Sequence, residues 1–358
     1  MASKRVGIVG AGSIAMAYAA WIASRGHEAA LWSPRSDSAS ILAHEPLTAI
    51  GILETTQAVG CHASAKDLAD WAEVIVIAVP LNGHRSVIDA LLPSLRAGQT
   101  VIVSSMASLS SLYLYERARA HGLDISVASF GTTALTARRK GPTQVNVMMR
   151  RRALGVSCLP QAGAPAVLEL CTALFGNDFT IDDNPLISTL GNTSAVSHVP
   201  LALFNWTRIE RAENWPQYHY MTPRVSAVIE ALDAERLAVA RAFGWELRKV
   251  QDKLAQPLGI APESSLAVVA AALHEKRGGP AGPVDVQTRY LSEDVPYGLA
   301  FMLALGRIAG VQMPATEASV QMAGMIVGAD LAAGNDLINA LELSSETVDG
   351  LLARMTLT

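Results

Sequence analysis

The chain has 358 residues with 28 basic and 32 acidic side chains, which gives a formal net charge of −4, and 50% of its residues are hydrophobic. This length is typical of two domains of roughly 100–200 residues each, and the composition argues against disorder and against a basic nucleic-acid-binding surface. The three cysteines are an odd number and widely spaced, which favours neither a disulfide framework nor a structural zinc site: Cys61, Cys158 and Cys171. We therefore expect a cytoplasmic protein that binds no metal and no nucleic acid.

An uncharged stretch from Val6 to Ser24 follows two basic residues, and it has the length of a signal peptide or a membrane span. A spanning helix would carry Gly7, Gly10 and Gly12 in its first half, whereas a strand, tight turn and helix of a nucleotide-binding fold need glycines at such points. The glycine spacing therefore predicts the start of a soluble domain and no membrane association.

Apolar runs that end at turn residues indicate buried parallel strands, and in the first half of the chain they alternate with segments of helical periodicity. The predicted strands are Val6–Val9, Ala29–Trp32, Val74–Val79, Val101–Val103, Ile125–Ala128, Gln144–Met149, Leu154–Cys158 and Phe179–Ile181. The predicted helices between them are 13–26, 84–96 and 165–175. This alternation predicts an α/β Rossmann-type dinucleotide-binding domain over residues 1–183.

From residue 184 to residue 358 the apolar spacing is helical, so we predict an all-helical C-terminal domain. The clearest helix is 225–243. Its apolar residues are predicted to form one face, and its charged residues, which include Glu230, Asp233, Glu235 and Arg236, are predicted to form the other. The Gly/Pro-rich segment 274–288 is long for a loop in a compact domain, and we expect it to be functional.

The motif Gly10-Ala11-Gly12-Ser13-Ile14-Ala15 lies between the first predicted strand and the first predicted helix. In a dinucleotide-binding fold, the first glycine permits the tight turn, the second lets the pyrophosphate approach the backbone, and the small third residue lets the helix pack on the strand. Gly10, Gly12 and Ala15 occupy these places, so we predict that they bind the cofactor. A turn without a ligand is the structural alternative.

The end of the second strand indicates which dinucleotide binds, because NAD-specific folds place a carboxylate there for the ribose 2′-hydroxyl. Here Ser33, Arg35 and Ser36 follow the strand, and a guanidinium with two hydroxyls suits a 2′-phosphate. The alternative is that Arg35 is an ordinary surface arginine and Asp37 reaches back to the ribose. NADP(H) is therefore favoured, NAD(H) stays the alternative, and Pro80 at the end of the third strand joins the predicted cofactor-binding residues.

Candidates for the chemistry lie in the second half, where the absence of lysine between Lys140 and Lys249 excludes a lysine acid–base group. His198 is a candidate because histidine exchanges protons near neutral pH, although a hydrogen-bonded core histidine is the structural alternative. A second cluster contains Arg289, which suits a substrate carboxylate, and Asp294, which suits the orientation of a histidine.

Residues 192–198, parts of 221–244 and, most specifically, the box Arg289-Tyr290 to Glu293-Asp294-Val295-Pro296 resemble the octopine/nopaline (opine) dehydrogenase family. The resemblance covers roughly residues 4–310 of the chain. It implies a reductive condensation, in which an amino acid and an α-keto acid such as pyruvate form an imine that NAD(P)H reduces to a secondary amine dicarboxylate.

The resemblance also implies roles for individual residues. The catalytic histidine of the family falls on His198, its partner aspartate on Asp294 and its substrate arginine on Arg289. Asn192 and Arg138 are further candidates for the substrate site. The implied partners are small-molecule substrates, and a homodimer is the candidate assembly.

Two departures from the family pattern leave the substrates open. Where the family usually has Pro-Gly after the fourth strand, this chain has Ser104-Ser105-Met106-Ala107, and residues 129–138 lack the acidic residue and the Pro-Tyr stretch of the family. His84 matches a frequent family histidine, but a plain helix start explains it equally well. The alternatives are a keto-acid or hydroxy-acid reductase of the same architecture and a non-catalytic NADP-sensing protein.

Overall fold

The computed structural model describes residues 2–35, 39–176, 178–261, 263–278 and 280–356, and the chain forms two compact units. The first unit comprises the residues up to Thr189 together with the segment from Leu352 onward, and the second comprises Leu190–Leu351. The division falls between Thr189 and Leu190, and the segment from Leu352 onward belongs to the first unit.

The first unit carries the strands, and each predicted strand is present. They are β1 (Arg5–Val9), β2 (Glu28–Trp32), β3 (Leu47–Gly51), β4 (Thr55–Gln57), β5 (Gly60–Cys61), β6 (Val74–Ile77), β7 (Thr100–Val103), β8 (Ser126–Ser129), β9 (Leu135–Arg139), β10 (Gln144–Arg150), β11 (Ala153–Leu159) and β12 (Asp178–Ile181). Eight of them form a sheet in the order β12-β11-β8-β7-β6-β1-β2-β5. All neighbours in it are parallel except β8 and β11, as the buried apolar runs predict.

The helices follow the predicted division of the chain. The first unit contains α1 (Ser13–Ser24), α2 (Ala65–Trp71), α3 (His84–Leu91), α4 (Ser110–Ala120) and α5 (Ala164–Phe175), and α6 (Pro185–Gly191) spans the division. The second contains α7 (Ser194–Leu203), α8 (Trp206–Glu210), α9 (Pro223–Ala242), α10 (Val250–Ala255), α11 (Leu266–Arg277), α12 (Arg289–Ser292), α13 (Phe301–Ala309), α14 (Pro314–Val327) and α15 (Asp336–Ala340), and α16 (Val348–Thr356) ends in the first unit.

A second sheet of four strands, in the order β4-β3-β10-β9, was not predicted. Of its strands only β10 was predicted from the sequence, from the apolar residues in Gln144–Met149. Strands β3 and β9 bury alternate residues, and β4 is short and polar, so none of them gives a run of β-branched residues. Pairing with β10 stabilises β3 and β9, and β4 pairs in turn with β3, so these strands depend on tertiary contacts.

Helix α1 explains the uncharged stretch near the N-terminus. It packs against β1 and β2 of the large sheet and against all four strands of the small sheet, so side chains around the whole helix are buried. A helix that is apolar all round is typical of a protein core as well as of a membrane. Among all the helices that the structure describes, none combines the length and the hydropathy needed to cross a membrane.

The second unit is helical as predicted, and within its described residues the one strand-like pairing is a bridge between Pro216 and Ala281. The Gly/Pro-rich segment starts later than predicted, because residues 274–277 belong to α11. That helix ends at Gly278, which adopts a left-handed conformation and donates its N–H to the carbonyl of His274 at 2.7 Å. Glycine is the residue that such a helix end favours.

Helix α9 is the centre of the second unit, where it packs against α7, α11, α13 and α14. The sequence predicts an amphipathic helix whose charged residues face the solvent. This prediction is wrong for two of them. Asp233 and Arg236 are buried and form an ion pair of 2.7 Å. Arg236 also donates to the carbonyls of Leu190 and Arg248, and Asp233 accepts the N–H of Val250.

We predict that Asp233→Ala lowers the free energy of unfolding by about 3–5 kcal/mol, because it leaves the buried guanidinium of Arg236 without its counter-ion. Asp178→Ala is the control, since the ion pair of Asp178 with Arg152 is exposed at the surface and such pairs contribute little. Urea unfolding of both variants measures the difference. Equal stability of the two variants would show that the buried pair is dispensable.

Candidate active site

The glycine motif has the geometry of a dinucleotide-binding loop. Gly10 has a φ of +128°, and a Cβ atom there would lie 2.8 Å from the carbonyl oxygen of Ala78, so only glycine fits. A Cβ atom on Gly12 would meet nothing within 4 Å, which leaves open space at the N-terminus of α1. Ala15 is fully buried against the strands. Exposed backbone N–H groups at this helix end suit a pyrophosphate.

The residues predicted to choose between NADP and NAD follow β2 directly. Ser33 is half-buried and Arg35 is exposed. Ser36, the third predicted contact, lies outside the described residues, as does Asp37, the alternative ribose ligand. Pro80 is exposed at the end of the segment that follows β6, where a short 3-10 helix (Leu81–Gly83) begins.

Arg139 is a residue near the glycine motif that the sequence analysis missed. Its backbone N–H donates to the hydroxyl of Ser13 at 3.0 Å, and its Nη1 donates to the carbonyl of Ala11 at 3.3 Å. Other guanidinium hydrogen bonds go to the carbonyls of Gly141 and Pro142. No signal could have found this contact, because β9 was not predicted and the two segments are 128 residues apart in sequence.

Arg138, the predicted substrate residue next to it, lies exposed on the same strand. It is opposite Asn146 of β10. Neighbouring side chains of a strand point to opposite faces, so the two arginines have different surroundings.

His84 is a core histidine at the start of α3. It is buried; its Nε2 donates to the carbonyl of Val79 at 3.3 Å, and its Nδ1 lies 2.8 Å from the hydroxyl oxygen of Ser110. Burial lowers its pKa from 6.5 to about 4. Both ring nitrogens thus have hydrogen-bond partners in the protein, and the ring connects Val79, after β6, to Ser110 at the start of α4.

The segment after β7, where this chain departs from the family pattern, contains two residues other than glycine with a left-handed backbone conformation. Ser105 has a φ of +63° and Leu109 a φ of +53°. A left-handed conformation is costly for both side chains and easy for glycine. Glycine would adopt the backbone conformation of Ser105 at a lower cost than serine does.

In the second unit the structure brings His198 and Asp294 together. His198 lies in α7, and Asp294 immediately precedes a π-helical turn, Val295–Ala300, that continues into α13. The Nδ1 atom of His198 lies 2.8 Å from Oδ2 of Asp294, and the side chains are 31% and 13% exposed. Because the carboxylate accepts, Nδ1 carries the hydrogen, and Nε2 is the ring nitrogen left for a substrate.

One face of the His198 ring is covered by Tyr290. The two rings are stacked, with centroids 4.0 Å apart and an angle of 3° between their planes. The hydroxyl of Tyr290 accepts a hydrogen bond from Nε2 of Gln217. Tyr290 belongs to the box after the Gly/Pro-rich segment, but the sequence predicts no role for it, and it gives no sign of Gln217.

The other two predicted substrate residues lie near the ends of helices in this unit. Arg289 is 72% exposed at the start of α12, and its Nη1 lies 3.5 Å from Oε2 of Glu293. Asn192 is half-buried before α7, where its Oδ1 accepts the N–H of Ser194 at 2.9 Å. Their roles toward a substrate stay predictions.

Comparisons with known proteins agree with the two units. The family model described as NAD/NADP octopine/nopaline dehydrogenase, alpha-helical domain, matches residues 181–327, and the model described as NADP oxidoreductase, coenzyme F420-dependent, matches residues 5–108. Over its length the chain is 28% identical to an opine dehydrogenase of Arthrobacter sp. (strain 1C), with 98% of each chain covered. The second unit therefore matches the helical domain of the octopine/nopaline dehydrogenase family, and the chain along its whole length is similar to an opine dehydrogenase.

Solved structures of other proteins have the same fold as this chain. An octopine dehydrogenase with NADH and L-arginine superimposes with a TM-score of 0.80 at 19% identity, covering 98% of both chains. A yersinopine dehydrogenase with bound NADP+ gives a TM-score of 0.75 at 18% identity, covering 97% of this chain and 99% of the other. The fold is therefore shared along nearly the whole chain.

We predict that His84 makes the protein sensitive to acid. Below pH 6.5 the unfolded chain binds a proton at this residue, whereas the folded chain does so only near pH 4. The stability is therefore complete above pH 6.5 and falls by at most on the order of 3 kcal/mol as the pH drops to 4.

The measurement compares the free energy of unfolding of the wild type and His84→Gln at pH 7.5 and pH 4.5. The variant loses the hydrogen bonds at both values, so the loss on acidification should be smaller in the variant. The same loss in both proteins would mean that other groups cause the acid sensitivity.

Proposed function

We propose that this protein catalyses the reductive condensation of an amino acid with an α-keto acid, such as pyruvate, to an N-(carboxyalkyl) amino acid. It is an NAD(P)-dependent oxidoreductase of the opine dehydrogenase type, as its relatives indicate. The observation that carries the proposal is the His198–Asp294 hydrogen bond of 2.8 Å within the family's helical domain.

The residues present fit a bound dinucleotide. Gly10 makes the tight turn against Ala78, Gly12 leaves open space beside the loop, and the N-terminus of α1 would hold the pyrophosphate. When bound, NAD(P)H supplies the hydride for the reduction. The proton transfers are left to groups of the protein.

His198 suits these proton transfers. Imine formation takes a proton from the attacking amine and gives one to the hydroxyl that leaves as water, and one imidazole can do both through Nε2. Asp294 holds the ring in one tautomer and stabilises the imidazolium form. Arg289 would bind a substrate carboxylate, for which its exposed guanidinium is suited, and Asn192 and Arg138 are proposed to line the substrate site.

The reaction is tested by the consumption of NADPH or NADH with a keto acid alone, an amino acid alone and both together. Fast oxidation that needs both substrates supports the condensation. Equal rates with the keto acid alone would indicate a keto-acid reductase, and cofactor binding without consumption under any condition would indicate a sensing protein. Screening pyruvate and related keto acids against the twenty amino acids identifies the pair.

For the cofactor we propose a preference for NADP(H), which the charge of Arg35 and the hydroxyls of Ser33 and Ser36 support. Arg35→Ala should then weaken NADPH binding about tenfold or more, because a charged hydrogen bond is lost, and leave NADH binding unchanged. Arg139→Ala should weaken both cofactors equally, since Arg139 contacts the loop common to both.

Titration calorimetry of both variants with each cofactor gives the dissociation constants. Arg138→Ala is the matched control, because this neighbouring arginine is exposed and has no predicted role toward the cofactor. An equal effect of Arg35→Ala on NADPH and NADH would remove Arg35 from the 2′-phosphate site. The homodimer and the cytoplasmic location stay predictions.

We predict that His198→Asn and Asp294→Asn each lower turnover by roughly 100-fold or more, with little change in NADPH binding or melting temperature. The double variant should be hardly worse than either single variant, because groups that act as a unit lose most of their effect with the first removal. Turnover is measured with both substrates saturating. Full activity of a folded His198→Asn protein contradicts the mechanism, whereas additive losses would leave His198 in place and release Asp294.

A further inference from the structure

We propose that Tyr290 is a positioning residue for His198, and that the Gly/Pro-rich segment before it serves to fix Tyr290. This inference rests on the proposed function, because it assigns a task to a residue behind the acid–base group. It is carried by contacts within the second unit alone.

The stack leaves the imidazole little freedom. Asp294 fixes Nδ1 in the plane of the ring, and Tyr290 covers one face at a centroid distance of 4.0 Å. A hydrogen bond alone permits the ring to swing about the line between donor and acceptor, whereas a parallel neighbour at contact distance opposes that rotation. Together the two contacts fix the direction in which Nε2 points.

The stack also has an electrostatic effect. The face of an aromatic ring carries negative charge density and attracts a cation within about 6 Å. An imidazolium formed at His198 during proton transfer would therefore be stabilised by Tyr290 from its face and by Asp294 from its edge. Both contacts favour the charged state that the reaction passes through.

Tyr290 is itself held by Gln217. The Nε2 amide of this buried residue donates to the hydroxyl of Tyr290 and, at 3.0 Å, to the carbonyl of Ala281. Its backbone N–H donates to the carbonyl of Pro280 at 3.1 Å. One glutamine thus connects the ring that covers His198 to the Gly/Pro-rich segment.

The segment is fastened to the residues before Gln217 as well. Gly282 donates its N–H to the carbonyl of Trp215 at 2.7 Å, and Nε1 of Trp215 donates to the carbonyl of Pro283 at 3.0 Å. A Cβ atom on Gly282 would lie 2.1 Å from the indole ring, so the close approach requires glycine. Gly282 therefore lets the backbone of the segment run directly along residues 215–217.

The test compares Tyr290→Leu, which removes the ring, with Tyr290→Phe, which keeps the ring and loses the hydroxyl. We expect Tyr290→Leu to lower kcat about tenfold or more with an unchanged dissociation constant for NADPH. Tyr290→Phe should give a kcat between those of the wild type and Tyr290→Leu, because it keeps the stacked ring but loses the hydroxyl that accepts the hydrogen bond from Gln217. Trp245→Leu is the matched control, because Trp245 stacks on Phe243 in the same unit with centroids 6.3 Å apart, outside the chain of contacts from Trp215 through Gln217 to Tyr290.

The His198→Asn background separates positioning from stability. There, Tyr290→Leu should cause no further loss of turnover, since the ring that it positions is gone. A residue needed only for folding would lower the melting temperature and the residual activity in both backgrounds. That result, or a loss of kcat in Trp245→Leu as large as in Tyr290→Leu, would overturn the assignment.

A measurement without turnover tests the geometry. The ring of Tyr290 should shift the NMR signals of the His198 ring protons upfield, and this shift should vanish in Tyr290→Leu and persist in Tyr290→Phe. Identical histidine signals in all three proteins would exclude the stack. If the wild type reduces no pair of substrates, the proposed function fails; if the wild type is active, His198→Asn is inactive and Tyr290→Leu equals the wild type, only the present inference fails.

Discussion

The second unit depends on one requirement, which is that buried helix ends find partners for their free backbone groups. Polar side chains of α9 provide these hydrogen-bond partners for several neighbouring helices. Asp233 accepts the first N–H of α10, Glu230 accepts the first N–H of α11, and Glu235 accepts two N–H groups at the start of α14. Arg236 donates to the carbonyl of Leu190 at the end of α6. The charges of α9 are thus the caps of its neighbours.

This arrangement gives the candidate active site a rigid support. Helix α9 packs against α7, which carries His198, and against α13, which continues from Asp294 through the π-helical turn. Both elements are irregular near the pair. Pro200 lies inside α7 and has no N–H to offer the carbonyl of Val196, and π-helical turns occur frequently at functional sites. Irregular helices keep a defined geometry only where their surroundings hold them, and α9 does so here.

The sequence predicts those features that local patterns encode, and it misses those that long-range contacts create. Continuous apolar runs predicted the buried strands of the large sheet, and the glycine spacing predicted the dinucleotide-binding loop after β1. The four-stranded sheet was not predicted from the sequence, because strands such as β9 are short and form only through pairing with β10. The charges of Asp233 and Arg236 follow a helical period, and periodicity does not distinguish a solvent-facing charge from a buried cap. The pairing of His198 with Asp294 joins residues 96 positions apart, and residue type together with a family resemblance indicated it, whereas Gln217 had no signal at all.

Two histidines show why the surroundings of a side chain decide its task. His84 and His198 are both candidates by residue type, but His84 is buried, both its ring nitrogens have protein partners, and burial lowers its pKa to about 4. It therefore stays neutral and has no free nitrogen for a substrate. His198 uses one nitrogen for a carboxylate, has one face against an aromatic ring and keeps 31% of its side chain exposed. A proton carrier needs a free nitrogen, access to solvent or substrate and a partner for its charged form, and of these two histidines only His198 has all three.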